Sequence, residues 1–363
     1  MRFSATEEAG NLHRTISLYD RESGAYCLIL PELGGTVWQL ALATVGTGDF
    51  WENGTRAPAL GPSSTGASRT PGGSDSRPDA VAQILEADPP ELLEENPWFR
   101  GRLLIPFNDR IPGGRYRFSG RQYQLALNAP EVEGNCGPSE GGAALHGLVY
   151  DQPFHREELG SGDEEAAACL SYRIDPDAFQ GYPFRLAVVV RYGLTADALE
   201  LSVTVKNLGP NVAPATLGWH PYVEVPGGVD SARLLCAAGR YVEVDQGLLP
   251  TGKLPGVAGG RFDFSSLRRL QGMELDIALE RRSPLPVVRT IVDRGFDFVE
   301  VEQSVPPFGY TQLFIPPDRS SIAVEPVTGA TNAFNRPDLG LTLLPPGRVL
   351  SGQVRIRRLA RAE

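Results

Sequence analysis

The chain is poor in the residues that usually announce a site. It has four histidines, His13, His146, His155 and His220, so imidazole chemistry is confined to very few places. Its four cysteines, Cys27, Cys136, Cys169 and Cys236, lie far apart without paired spacing, which excludes a zinc-type cluster and a dense disulfide framework. Three of them sit among apolar or small neighbours and read as buried free thiols. No phosphate-cradling glycine loop ends in Lys-Ser or Lys-Thr, no Gly-x-Ser-x-Gly elbow is present, and no His-Glu-x-x-His motif occurs. Residues 1–20 lack the basic start and apolar core of a secretory signal, and no apolar run approaches ~18 residues. A cytoplasmic protein is the expectation. Positive charge is also short: 34 Lys and Arg stand against 44 Asp and Glu, a formal net charge of -10. That argues against nucleic acid and against anionic membranes as partners, and leaves a neutral, small or cationic partner.

Long helical periodicity and fixed-length repeats are missing too, and what remains is β-like. With 41% apolar residues over 363 positions, a large core is possible. Forty-one glycines and 31 prolines are spread evenly, as in a chain of many short elements joined by turns. Leu199, Leu201, Val203 and Val205 alternate with polar residues, the period of a strand with one wet face. Leu186 to Tyr192 is valine-rich and reads as a strand covered on both faces. Tyr116 to Phe118 and Gln122 to Leu127 flank Ser119-Gly120 as a hairpin. Residues 56 to 78, rich in Pro, Gly, Ser and Thr, read as a mobile insertion. Asp79 after it is placed to cap a short helix over Ala80 to Leu85. A dozen or more short strands predict one all-β domain over 1–363, a large antiparallel sandwich or barrel with few short helices.

Four clusters can carry chemistry. His220 lies in Gly218-Trp219-His220-Pro221-Tyr222, where the proline favours extended geometry and Trp219 and Tyr222 can wall a pocket. It is either a proton shuttle, with an unperturbed pKa of ~6.5, or a half-buried histidine satisfied by a backbone carbonyl. Asn108-Asp109-Arg110 is enclosed by Phe107 and Ile111, as a hydroxyl-binding arginine or as a structural Arg–Asp pair. His146 precedes Gly147 after a glycine-rich approach, on backbone that looks flexible and open, as a ligand-facing, structural or surface residue. Glu325 ends an apolar strand before Pro326, either as a base with a raised pKa or as a solvated strand-end carboxylate. Asp276 is a weaker fifth candidate. His13 and His155, with charged neighbours, read as surface residues. Two histidines, one glutamate and one aspartate suit acid–base chemistry on a neutral polyol without a cofactor.

Taken in order, these pieces resemble the aldose 1-epimerases, or galactose mutarotases. The matching stretches are Gly101-Arg102, Asn108-Asp109-Arg110-Ile111, Leu145-His146-Gly147, Trp219-His220-Pro221-Tyr222, Leu275-Asp276 and Ala323-Val324-Glu325-Pro326. Shorter agreement covers Leu33 to Val37, Leu249 to Gly252 and Asn332 to Asn335. The resemblance implies a β-sandwich of the galactose-mutarotase type with a cleft for one monosaccharide, as monomer or homodimer. It implies Glu325 as general base, His220 as general acid, and His146, Arg110, Asp276 and Asn108 as sugar-binding residues. Two departures stand out. Asp109 occupies the place before the arginine where the family often has Asn, and Val223-Glu224-Val225 replaces a frequent Phe-Asn. The resemblance also admits a hexose-6-phosphate 1-epimerase, for which Arg100, Arg102 and Arg115 would supply cations, and a sugar-binding module without turnover. A retaining glycosidase using Asp276 and Glu325 is a further alternative, if His220 is remote.

Overall fold

The computed structural model describes residues 1–10, 13–45, 51–52, 55–56, 81–129, 142–281 and 283–361. The bulk of the 56-to-78 insertion, together with Asp79 and Cys136, lies outside the described residues. The fold is all-β. Its only helices among the described residues are short 3-10 turns at Pro90–Leu92, Val229–Ser231 and Pro337–Leu339, and no helix is long and apolar enough to cross a membrane.

Three antiparallel sheets make up the body. A nine-stranded sheet runs from the His155–Ser161 edge through Glu165–Ile174, Leu186–Thr195, Leu199–Asn207 and Val349–Ala360 to Phe264–Arg269. A five-stranded sheet holds Phe3–Ala9, Arg14–Asp20, Tyr26–Leu30, Thr36–Leu42 and Ala82–Gln83. A seven-stranded sheet contains Arg240–Tyr241, Asp276–Glu280, Tyr310–Phe314, Ser321–Val327, Gly218–Trp219, Leu103–Leu104 and, paired on Ser321–Val327, Tyr222–Glu224. Apolar side chains of all three, among them Ile29, Val203 and Val324, meet in one buried core, which is what lets sheets with one apolar face each be stable.

Strand Leu199–Asn207 alternates in burial as its residue pattern predicts, and the hairpin Arg115–Phe118 with Arg121–Gln124 turns at Ser119-Gly120. Two expectations are corrected. Leu186–Thr195 is not covered on both faces: Val189 is exposed while Val188 and Val190 are buried. An antiparallel strand commonly keeps one face in water, and valine tolerates that through its β preference. The helix expected up to Leu85 is not formed either. Ala82–Gln83 is a strand on the free edge of Thr36–Leu42, with Ala41 opposite Gln83, and Ile84 and Leu85 are buried. A helix of so few residues is marginal by itself, whereas a sheet edge offers hydrogen bonds already aligned. Of the cysteines, Cys27 and Cys236 are buried free thiols and Cys169 is half-buried.

Candidate active site

The seven-stranded sheet supplies the framework of the site. Every residue of Ser321–Val327 is buried, because strands cover both its edges and the core lies beneath. Gln312 of Tyr310–Phe314 stands opposite Glu325 on one side. On the other, Gly218 pairs with Val327 and Tyr222 with Ala323. The same register sets His220 opposite Glu325, in the gap between the two short strands where Pro221 cannot donate to a ladder. The His220 backbone is instead fixed by Gly101 and Arg102: its N–H donates to the Arg102 carbonyl at 3.0 Å, and its carbonyl accepts from Gly101 at 2.8 Å. Its ring projects toward the carboxylate, with Nε2 3.5 Å from Glu325 Oε1.

Neither side chain of this pair is on the surface; both are about 95% enclosed. The reading of His220 as half-buried and satisfied by a neighbouring backbone carbonyl therefore fails: its Nδ1 finds no partner outside its own residue. Tyr222 stacks against the imidazole at 4.9 Å and 4°, and the Arg100 guanidinium lies 5.1 Å from the centre of the tyrosine ring. His146 closes the other side at 5.1 Å, edge-on. Glu325 likewise is not a solvated strand end.

His146 sits at φ 60°, and Asp109 at φ 55°. The two are hooked together, the His146 N–H donating to the Asp109 carbonyl at 3.1 Å and the Asp109 N–H donating to His146 Nδ1 at 3.2 Å. With Nδ1 accepting, the neutral ring carries its proton on Nε2 and presents a donor. The backbone here is not the open, flexible stretch expected. Gly147 has φ 93°, and a Cβ there would meet the Ile105 carbonyl oxygen at 2.3 Å, so glycine is required for close packing.

Arg110, on Arg110–Pro112 beside Ala143–Leu145, is buried with its Nε 3.7 Å from Asp109 Oδ1. Asp276 begins Asp276–Glu280 and accepts a hydrogen bond from Gln312 Nε2 at 2.6 Å. Together Glu325, His220, His146, Arg110, Asp109, Asp276 and Gln312 line one recess. Pro97, Trp98, Phe99, Leu145, Tyr222 and Phe314 complete its walls, and it encloses about 500 Å³ counted out to its mouth. A few convergent polar groups between apolar walls is the usual make-up of a ligand site.

Four named residues do not reach it. Asn108 is turned away: its Nδ2 donates to the Gly329 carbonyl at 2.6 Å, and Asp109 occupies the lining position instead. Trp219 is no wall either, being buried with Nε1 donating to the Gly101 carbonyl at 3.0 Å. His155 is exposed, and half-buried His13 lies 3.9 Å from Glu32. Residue reasoning passed over Gln312 entirely, since only the strand register reveals that it faces Glu325. It noted Asp109 as a candidate partner of Arg110 and as a departure from the family's Asn, without placing it in the site.

Burial governs the charges. Enclosure, then the neighbouring Asp109 and Asp276, push the Glu325 carboxyl well above the usual range. Enclosure and the nearby Arg100 lower His220 to about 3. His146 is lowered well below its ordinary value by enclosure, His220 and Arg110. Asp276 is raised to about 6 by enclosure and Asp109, against Arg110 and the Gln312 hydrogen bond. The low dielectric disfavours every charged form here. Among the described residues no three His, Cys, Asp or Glu side chains come together as a cage for a metal ion.

The aldose 1-epimerase family profile matches residues 75–357. The chain belongs to the aldose 1-epimerase family. The protein YihR of Escherichia coli is 28% identical over 71% of the chain and 79% of its own length. Human galactose mutarotase is 30% identical, with 47% of the chain and 46% of that protein matched, and the aldose 1-epimerase of Escherichia coli is 29% identical over 51% and 50%. The chain thus spans about half the length of these two named mutarotases. Among solved structures, a galactose mutarotase-like protein from Clostridium acetobutylicum superposes with a TM-score of 0.74 at 17% identity over 99% of both chains. The galactose 1-epimerase of Lactobacillus acidophilus gives 0.71 at 16% identity, over 99% of this chain and 98% of the other. These two likenesses establish the fold.

Proposed function

We propose that this member of the family is itself an aldose 1-epimerase, interconverting the α- and β-anomers of an aldohexose such as glucose or galactose. The observation that carries the reading is the 3.5 Å approach of the His220 imidazole to the Glu325 carboxyl at the floor of the recess.

The chemistry needs one base and one acid. Glu325 takes the proton of the anomeric hydroxyl, the C1–O5 bond breaks to leave an aldehyde, and His220 delivers a proton to O5. Rotation about C1–C2 exposes the other carbonyl face. His220 then recovers the proton as O5 attacks C1, and Glu325 returns its own to O1. Protons and electrons balance over the cycle, and each placed transfer typically contributes ~10²–10⁴-fold.

The pair must therefore hold one proton between its two members. Its resting form is the neutral carboxyl beside a neutral imidazole, since enclosure raises the one and lowers the other. The working form, carboxylate and imidazolium, has the same proton count, so the pair is poised without exchange with solvent. Sugar hydroxyls entering the recess favour the working form by solvating its charges. His146, presenting Nε2–H, and Asp276, accepting, hold ring hydroxyls on either side.

Of the alternatives, a sugar phosphate lacks support. Arg102 is buried and spends its guanidinium on the carbonyls of Leu33, Tyr150 and Leu93. Arg100 is bound to Asp88 and Glu86, and Arg115 Nε donates to Gln124 at 3.2 Å. None of the three is in the recess lining, where Arg110 is the single lysine or arginine among the described residues. The glycosidase reading requires a remote His220, and His220 is adjacent.

Polarimetry of freshly dissolved α-D-glucose or α-D-galactose tests the proposal. Rotation should relax faster in proportion to added protein; a relaxation no faster than the spontaneous one, in a sample that still binds sugar, would point to a binding module. As Arg110 can hydrogen-bond substrate and transition state alike, Arg110→Ala should raise KM about 10–100-fold with little change in kcat. Progress curves over a range of sugar concentrations separate the two parameters, and a fall confined to kcat would contradict that role.

A further inference from the structure

An acid–base imidazole is ordinarily kept in register by a carbonyl or carboxylate on its second nitrogen. His220 has no such tether, since its Nδ1 finds no partner outside its own residue. The torsion that turns an imidazole about its Cβ–Cγ bond is soft, and a half-turn would put carbon where Nε2 now meets Glu325. Ring contacts must therefore fix the imidazole. Tyr222 lies parallel to it at 4.9 Å and 4°, and His146 stands edge-on at 5.1 Å and 74°. The tyrosine supplies the flat face against which a half-turn has to work.

Tyr222 is itself held from outside the recess. The Arg100 guanidinium packs on its ring, 5.1 Å from the ring centre, so contacts run from guanidinium to phenol to imidazole. The Arg100 side chain is 9% exposed and does not line the recess. Asp88 grips it through Nη1, and Glu86 lies 3.2 Å from Nη2. The grip is built into the sheet. Leu85 bridges to Val223, and the Glu86 N–H donates to the Tyr222 carbonyl at 2.9 Å. The Glu86 carboxylate in turn accepts from the hydroxyls of Ser320, at 2.6 Å, and Ser321, and Ser321 opens the strand that carries Glu325. One unit thus joins the tyrosine backbone, the cation on its ring and the strand of the base. An arginine held by two carboxylates has no charge left for a ligand, but its flat guanidinium still covers an aromatic face as a lysine cannot.

We propose that Arg100 and Tyr222 are positioning residues for the general acid: the guanidinium, clamped by Asp88 and Glu86, steadies the tyrosine ring, and the ring keeps the His220 imidazole turned with Nε2 toward Glu325. The word acid here rests on the epimerase reading. Tyr222→Leu keeps an apolar wall but removes the stack, and should lower kcat for glucose about 10–100-fold, with KM within about threefold of wild type. Tyr222→Phe restores the ring and should recover most of that loss. Arg100→Lys keeps a positive charge for Asp88 and Glu86 without the flat guanidinium, and should lower kcat about 3–10-fold. A leucine variant with wild-type kcat, a loss confined to KM, or a phenylalanine variant as slow as the leucine one overturns the role of Tyr222. Wild-type kcat in Arg100→Lys overturns that of Arg100. Proton–carbon NMR of the imidazoles, with His220 assigned by the signal missing in His220→Asn, tests the arrangement without turnover. The His220 ring protons should stand upfield in the wild type, over the tyrosine face, and should move downfield and broaden in Tyr222→Leu while those of His13 and His155 stay. If the His13 and His155 signals move as well, the leucine variant is misfolded, and Arg100→Lys decides by the same two measurements. If the wild type turns over no sugar, the epimerase reading falls by itself; His220 signals that do not respond to Tyr222→Leu overturn the positioning.

Discussion

Glu325→Gln should lower kcat by about 10²–10⁴-fold, the worth of one placed proton transfer, while the protein remains folded. The amide matches the carboxyl in size and remains polar beside Gln312 and His220, so the recess keeps its shape, but it cannot take the anomeric proton. Stability gives an independent check, and its sign follows from the raised carboxyl. A carboxyl whose pKa is higher folded than unfolded holds its proton more tightly in the native state. The stability this brings is complete below the unfolded pKa and is lost as pH rises through the folded one. Glutamine does not titrate and removes that loss, so the variant's melting temperature at alkaline pH should equal or exceed that of the wild type. Polarimetry beside thermal melts across pH measures both. A variant with wild-type turnover would remove Glu325 from the chemistry; a slow variant that melts early would show only damage.

How the chain reveals such a site before folding is uneven, and the unevenness has physical causes. The long strands are legible because burial on one face imposes period two, as in Leu199–Asn207. His220 and Glu325 are legible as residues, each before a proline at the end of an apolar stretch, and the structure brings both to one recess with His146, Arg110 and Asp276. Their facing is not legible, because it depends on the register of Gly218–Trp219 and Tyr222–Glu224 on Ser321–Val327. Two-residue strands such as Leu103–Leu104 and Ala82–Gln83 carry no period at all; neighbouring edges make them. Asn108 reads as a sugar contact by residue type, and only the fold shows it turned to the Gly329 carbonyl while Asp109 lines the recess. Val189 reads as buried in the sequence, though it is exposed in the fold, because valine's preference for strands and its preference for cores look the same there.

Removing the acid should leave a different signature from removing the base. His220→Asn is expected to reduce kcat/KM at neutral pH by about 10²–10⁴-fold and to reverse the direction of its pH dependence on the alkaline side. In the wild type the productive pair carries one proton. As pH rises past the raised Glu325 value that proton is lost, the acid disappears, and the rate falls. On the acid side a second proton enters at His220 at about pH 3. Protonation of Asp276 at about 6 removes an acceptor for sugar hydroxyls earlier, so the acid limb should lie near 6. On the alkaline side of the variant only Glu325 matters, because water must protonate O5 whatever the pH. Its active form is the carboxylate, so the residual rate should climb through the same interval in which the wild-type rate declines. Rates are taken from polarimetry after subtraction of the spontaneous, base-sensitive reaction at each pH. A variant whose alkaline limb still falls would mean that another group supplies the proton to O5, and His146, 5.1 Å away with Nε2–H presented to the recess, is the first to replace next. Asp276→Asn offers the complementary control: it should flatten the limb near 6 and leave the alkaline one in place.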